Sequence, residues 1–203
     1  MRHYPRAAPE LEITNLLDDG IMKLFARGDT GPATGRLGEM IATGRDLYGG
    51  ELALLCCSAV TAPMLEELRS TAGIPVLKID IPMAREAVRS ASRIGVIVTF
   101  PPTQAITHAL LEDAAAETGK SIEILDELEP LAVEAILGGD RETHDVILTQ
   151  AGERLTAKGA EVIVLAQVSM AHLVEPLQRA LNVPVFSSLE TSLVAVKREL
   201  GLA

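Results

Sequence analysis

Residues 51–60 read ELALLCCSAV and residues 161–170 read EVIVLAQVSM. Each is an apolar run that ends at a side chain able to do chemistry or to direct it, Cys57 in the first and Gln167 in the second, and then passes through small residues into a helical pattern. A thiol just ahead of a helix N-terminus meets free N–H groups and a partial positive charge, which favour the thiolate and make it a competent base or nucleophile. The helix after Cys57 is expected to begin near Thr61-Ala62-Pro63. An amide at the corresponding place offers hydrogen bonds but neither gives nor takes a proton near neutral pH. Cys56 should point to the opposite face of its strand and fill space there, a common use of cysteine.

The elements that position these residues are read from hydropathy. Short apolar runs alternate with longer amphipathic stretches, giving expected strands at 11–15, 51–57, 75–79, 93–99, 121–125, 161–167 and 184–187. Helices are expected over 33–47, 63–72, 82–91, 103–118, 127–137, 141–158, 170–181 and 190–200. This rhythm predicts an α/β fold with largely parallel sheets, since runs apolar throughout suit strands covered on both faces.

An internal repeat organises the chain. The two quoted runs are offset by 110 residues, Ile74-Pro75-Val76 matches Val183-Pro184-Val185 at 109, and Gly28-Asp29 matches Gly139-Asp140 at 111, as Glu12-Ile13 matches Glu123-Ile124. The second copy opens with RIGVIVTF (93–100), whose counterpart would fall before residue 1. The first lobe is therefore expected to lack its opening strand, because the chain starts inside that copy or because this half is built differently. The expected division is 1–88 plus 187–203 for one lobe and 89–186 for the other.

Composition excludes several classes. With 48% hydrophobic residues the chain can bury a sizeable core, whereas aromatic residues are 2% and the net charge is −10, so neither base stacking nor phosphate binding is favoured. No nucleic-acid partner is expected. No apolar run has the length of a membrane span and MRHYPRAAPE lacks a signal-peptide core, so no membrane association and a cytoplasmic location are expected. The only two cysteines, adjacent at 56 and 57, would stay reduced there.

LLCCSAVTAPMLEELRSTAGIPVLKI, RIGVIVTFPPT and VIVLAQVSMAHLVEPLQRALNVPVFSS, in that order, resemble the motifs of the aspartate/glutamate/hydantoin racemase superfamily. The resemblance implies two pseudo-symmetric lobes, each with a largely parallel four-stranded sheet flanked by helices, and an active site between the lobes. It also implies chemistry without cofactor or metal on a small carboxylate, amino acid or cyclic amide such as a hydantoin, and a possible homodimer. Family members set one cysteine on each side of the substrate α-carbon. Cys57 matches the first, and position 167 carries Gln167 instead of the second, a departure from two-base racemisation. Substrate binding is expected from the hydroxyls of Ser58, Thr99, Thr103 and Ser169 and from the backbone about Ala59 and Val168. The superfamily also holds maleate-type cis-trans isomerases and arylmalonate-type decarboxylases, so a single-cysteine isomerase, a decarboxylase or other lyase, and a small-acid binding protein remain open.

Other residues have plainer readings. Ser187 and Ser188 could hold a carboxylate or cap a helix, as could Thr103. Phe100 could line the site or join the core. His108 and His144 are expected on the surface of amphipathic helices, His172 at a solvated helix position and His3 in a frayed terminus. The i, i+3 pair His172 and Glu175 lacks the further ligands a metal centre needs, so no metal site is expected. Gly28-Asp29-Thr30-Gly31 reads as a turn and the acidic stretch 126–134 as a solvated helix face.

Overall fold

The computed structural model describes residue 4 and residues 8–202, so His3 lies outside the described residues. The chain divides into two compact units, Met1–Lys78 with Leu193–Ala203, and Ile79–Ser192.

In the second unit a parallel four-stranded sheet has the order β4 (Glu123–Leu128), β3 (Arg93–Val98), β5 (Val162–Leu165), β6 (Val185–Ser187). The two central strands are apolar because both their faces are covered. Ile94, Val96, Val98, Val162 and Val164 pack on one side against Met83, Ala84, Ala87 and Val88 of a helix at Ile81–Ser90 and Leu111, Ala114 and Ala115 of a helix at Pro101–Thr118. Ile97, Ile163, Leu165 and Val185 pack on the other side against Ala132, Leu148, Ala151, Leu155 and Leu177. These belong to helices Pro130–Leu137, Arg141–Ala157 and Val174–Leu181. The alternation of strand side chains between faces thus sorts one apolar run into two cores. Gly95 serves the second core, since a Cβ there would meet Ile163 Cδ1 at 2.7 Å and Ala160 Cβ at 3.0 Å.

The first unit carries helices α1 (Ile21–Arg27), α2 (Thr30–Tyr48) and α3 (Ala62–Thr71) with β1 (Ala53–Leu55) and β2 (Val76–Lys78), which pair in parallel. Among the described residues this sheet has two strands. Residues 11–15, expected as a strand, belong to neither a helix nor a strand. Their repeat counterpart is β4, which is held by β3, and among the described residues no strand pairs with 11–15.

Two backbone bonds recur at equivalent places in the two units. Ala53 N–H donates to Pro75 O at 2.9 Å and Ile163 N–H to Pro184 O at 2.9 Å. Asp29 N–H donates to Leu24 O at 3.0 Å and Asp140 N–H to Ala135 O at 2.9 Å. Gly28 and Gly139 precede these aspartates with φ of 76° and 84°, the left-handed conformation that lets one helix end and the next begin. The turn expected at Gly28-Asp29 is this junction, with Asp29 as the N-cap residue of α2.

Several boundaries differ from the expected ones, among them the start of the helix expected at 170–181, which is a 3₁₀ segment, Val168–Leu173, before the helix Val174–Leu181; two of the differences change how residues are read. β1 ends at Leu55 rather than 57, so Cys56 lies in the loop after it and is exposed instead of filling a core. The acidic stretch 126–134 is not one helix face, because Asp126 and Glu127 belong to edge strand β4. There Glu127 bonds Lys158 Nζ at 2.6 Å and Arg154 Nε at 2.8 Å, and an edge strand open on one face accepts such a polar pattern.

Candidate functional site

Strands β3 and β5 run side by side, and the segments just past their carboxyl ends form the candidate site, the usual location of ligands in open α/β sheets. Thr99 is the first residue past β3, and Gln167 caps a 3₁₀ segment, Val168–Leu173, that comes after β5. The two are locked together. Gln167 Oε1 accepts the Thr99 N–H at 3.1 Å and Gln167 Nε2 donates to Thr99 Oγ1 at 2.9 Å. Because a backbone N–H can only donate, the amide orientation is fixed by this contact. Thr99 is 4% exposed, so the clamp satisfies an N–H that water hardly reaches. One N–H of the Gln167 amide and the proton of the Thr99 hydroxyl are left to donate elsewhere.

Cys57 stands at the repeat-equivalent place in the first unit, two residues past the end of β1 as Gln167 is two past β5. Its carbonyl accepts the Val60 N–H at 3.4 Å, which closes a turn through the half-buried Ser58 and Ala59 before α3 opens with Pro63 in its first turn. The Cys57 thiol is half-buried. The Cys56 sulfur turns back to Leu54 O at 3.8 Å, and desolvation by the surrounding chain, with the neighbouring Cys57, pushes its thiol above the ordinary value.

The remaining expected residues separate. Thr103 is buried in the first turn of Pro101–Thr118, where no side chain caps the helix, so capping does not account for it. Phe100 is 51% exposed, outside the core. Val168 and Ser169 are exposed on the 3₁₀ segment. Ser187 Oγ bonds Glu190 and the Ser187 carbonyl accepts from Thr191 Oγ1, commitments internal to the last helix, Ser188–Glu199.

Sequence reasoning missed a cluster beside this segment. His144, expected at the surface, is 1% exposed, because it occupies the position where the first copy buries Ala33. His144 Nδ1 lies 2.6 Å from Asp145 Oδ1 and His172 Nε2 lies 2.8 Å from the same oxygen. The rings stack with centroids 5.8 Å apart. Burial works to raise the Asp145 carboxyl, yet the hydrogen bonds with His144 and His172 outweigh it and hold it below the usual carboxylate range. These three residues, rather than His172 with Glu175, form the set among the described residues able to hold a metal. His108 is likewise half-buried rather than free on the surface, with Nε2 2.7 Å from Asp126 Oδ1. The signal available in the sequence was the pair His144-Asp145 at a position where the other copy has Ala33-Thr34.

The family model of Asp/Glu/hydantoin racemases matches residues 23–196. The chain belongs to this family. Among solved structures, an allantoin racemase from Klebsiella pneumoniae is 28% identical, over 86% of this chain and 70% of its own, with a TM-score of 0.62. A glutamate racemase from Bacillus anthracis is 22% identical over 85% of this chain and 67% of its own, with a TM-score of 0.63. An arylmalonate decarboxylase variant in a sulfate-associated form is 18% identical over 97% of this chain and 85% of its own, at 0.58. The latter two show that the fold is shared. A comparison with curated proteins finds no match. As a member of the racemase family the chain keeps the family's α/β architecture, and no helix among the described residues is long and apolar enough to cross a membrane.

Proposed function

We propose that the protein is a cofactor-independent racemase or isomerase that moves a proton at the α-carbon of a small carboxylate, amino acid or hydantoin, with Cys57 as its base. The observation that carries this reading is the equivalence of Cys57 and Gln167. Both stand two residues past a strand end, one as a half-buried thiol and the other as an amide bound to Thr99. In this reading Cys57 removes the α-proton, and Gln167 with Thr99 contributes hydrogen bonds to the enolate-like oxygen that forms. Because an amide neither gives nor takes a proton near neutral pH, inversion draws its proton from water on the face opposite Cys57 rather than from a second thiol. Ser58, Ala59, Thr103, Val168 and Ser169 are the proposed contacts to the substrate's carboxylate or ring amide. The mechanism requires a reduced thiol and so suits the cytoplasm. The 28% identity to an allantoin racemase favours a cyclic ureide of the hydantoin type among the possible substrates.

A second reading is a single-cysteine decarboxylase, which passes through the same intermediate, and the shared fold with an arylmalonate decarboxylase supports it. Proton NMR in D2O separates the two. The purified protein and its Cys57→Ala variant are incubated with allantoin, a substituted hydantoin, aspartate, glutamate, maleate and an arylmalonate. Deuterium entering an α-position only with Cys57 intact supports proton transfer, whereas loss of CO2 from the malonate alone favours the decarboxylase. Exchange in neither, with a substrate retained by the protein, would make it a small-acid binding protein.

A further inference from the structure

We infer that His144, Asp145 and His172 form a binding site for one divalent transition-metal cation of the zinc or cobalt class, a site separate from the thiol chemistry and independent of the racemase reading.

The contacts of His172 suit a nitrogen that binds a cation. Its Nδ1 lies 3.0 Å from the Ser169 carbonyl and its Nε2 lies 2.8 Å from Asp145 Oδ1. A carbonyl and a carboxylate oxygen only accept, and a neutral imidazole has one N–H. In either neutral tautomer one nitrogen lone pair faces an oxygen lone pair, an arrangement that a cation bound between them relieves. Donation from Nδ1 to the Ser169 carbonyl is the arrangement metal-bound histidines usually make on their far side. It leaves Nε2, with its lone pair toward Asp145, as the ligand atom.

His144 points to the same place. Its Nδ1 is 2.6 Å from the same Asp145 oxygen, and one ligand atom from each of the three side chains lies within 4.8 Å of the others. Two imidazoles and a carboxylate match zinc's preference for nitrogen and oxygen donors at about 2.0–2.2 Å. Ligand atoms around a tetrahedral ion lie about 3.3 Å apart, so the set opens by roughly half an ångström to admit it. A rotation of the half-buried carboxylate provides that movement. Arg141 stands on the other carboxylate oxygen, Oδ2, at 3.9 Å, which leaves Oδ1 for the ion. The burial of His144 in helix Arg141–Ala157 fixes one ligand, while His172 belongs to the 3₁₀ segment that Gln167 caps. An ion here would therefore pin the segment carrying Gln167 and Ser169 onto that helix. The first copy, with Ala33-Thr34 at the corresponding positions, has no such site.

The test uses the full-length protein freed of metal with a chelator and titrated with CoCl2 and ZnCl2, read by calorimetry and by the visible absorption of cobalt. The expected result is one equivalent per chain, a cobalt spectrum without sulfur-to-metal charge transfer, and affinity unchanged in a Cys56→Ser/Cys57→Ser double variant. Affinity should fall at least about 100-fold in His172→Ala and in Asp145→Asn, since even outer-shell changes lose 10–100-fold. Circular dichroism verifies that both variants fold, and His172→Gln serves if the alanine variant does not. Absence of stoichiometric binding, binding that survives His172→Ala, or binding that disappears with the cysteines would each overturn the inference.

Discussion

Replacing Gln167 by leucine tests the clamp at the end of the sheet. The substitution keeps the approximate volume and removes both bonds to Thr99, of 3.1 Å to its N–H and 2.9 Å to its hydroxyl. The hydroxyl can turn to another partner, but the N–H is fixed by the backbone in a residue 4% exposed. Leaving such a donor without a partner costs about 1–3 kcal/mol, and the lost hydroxyl bond adds about 1 kcal/mol. Gln167 is itself half-exposed, and water reaching the vacated place offsets part of this. A net loss of about 2 kcal/mol is expected, equivalent to a fall in Tm of about 4–8 °C for a chain of this size. Urea unfolding measures it, and Gln167→Glu serves as the control because a carboxylate still accepts the Thr99 N–H. Combining Gln167→Leu with Thr99→Val, which removes the hydroxyl alone, should give a coupling energy of about 1 kcal/mol. A leucine variant within about 0.5 kcal/mol of the parent would refute the clamp.

Three further outcomes are expected. Gly95→Ala should lower stability by about 1–3 kcal/mol in chemical denaturation, because its Cβ would meet Ala160 Cβ at 3.0 Å and Leu155 Cβ at 3.2 Å, atoms that cannot rotate away. Burial acts to raise Glu127, but its bonds to Lys158 and Arg154 hold it below the ordinary range. Its stabilisation is therefore present above the unfolded value of about 4.3 and lost as pH falls through the lower folded value, and Glu127→Gln should flatten that part of the acid limb of stability. Gln167→Cys, assayed by the same deuterium exchange, should put a second acid/base group at the position equivalent to Cys57 and increase exchange at the α-carbon, while a drop to the Cys57→Ala level would count against the equivalence.

Periodicity and repeats made most of the second unit legible. The runs at 93–99 and 161–167 are apolar at nearly every position, and they are the two strands with both faces covered. The repeat was legible at finer scale still, since Ala53 and Ile163 make the same bond to Pro75 and Pro184. Residues 11–15 were not legible, because an alternating run becomes a strand only where a neighbour offers a ladder. His144 was misread for a related reason. Helical spacing cannot distinguish a polar residue facing water from one buried beside a carboxylate on the next residue and a histidine 28 positions later.

The sequence by itself determined the α/β rhythm, the two copies, and the fact that position 167 holds an amide where position 57 holds a thiol. Those are properties of residue type and spacing along one chain. Only the tertiary structure decided that Gln167 is bound to Thr99, that Asp145 is shared by two imidazoles, and that Cys56 is exposed. These depend on which strand ends and helix faces meet, and such neighbours are chosen by packing across 27 to 68 residues of chain.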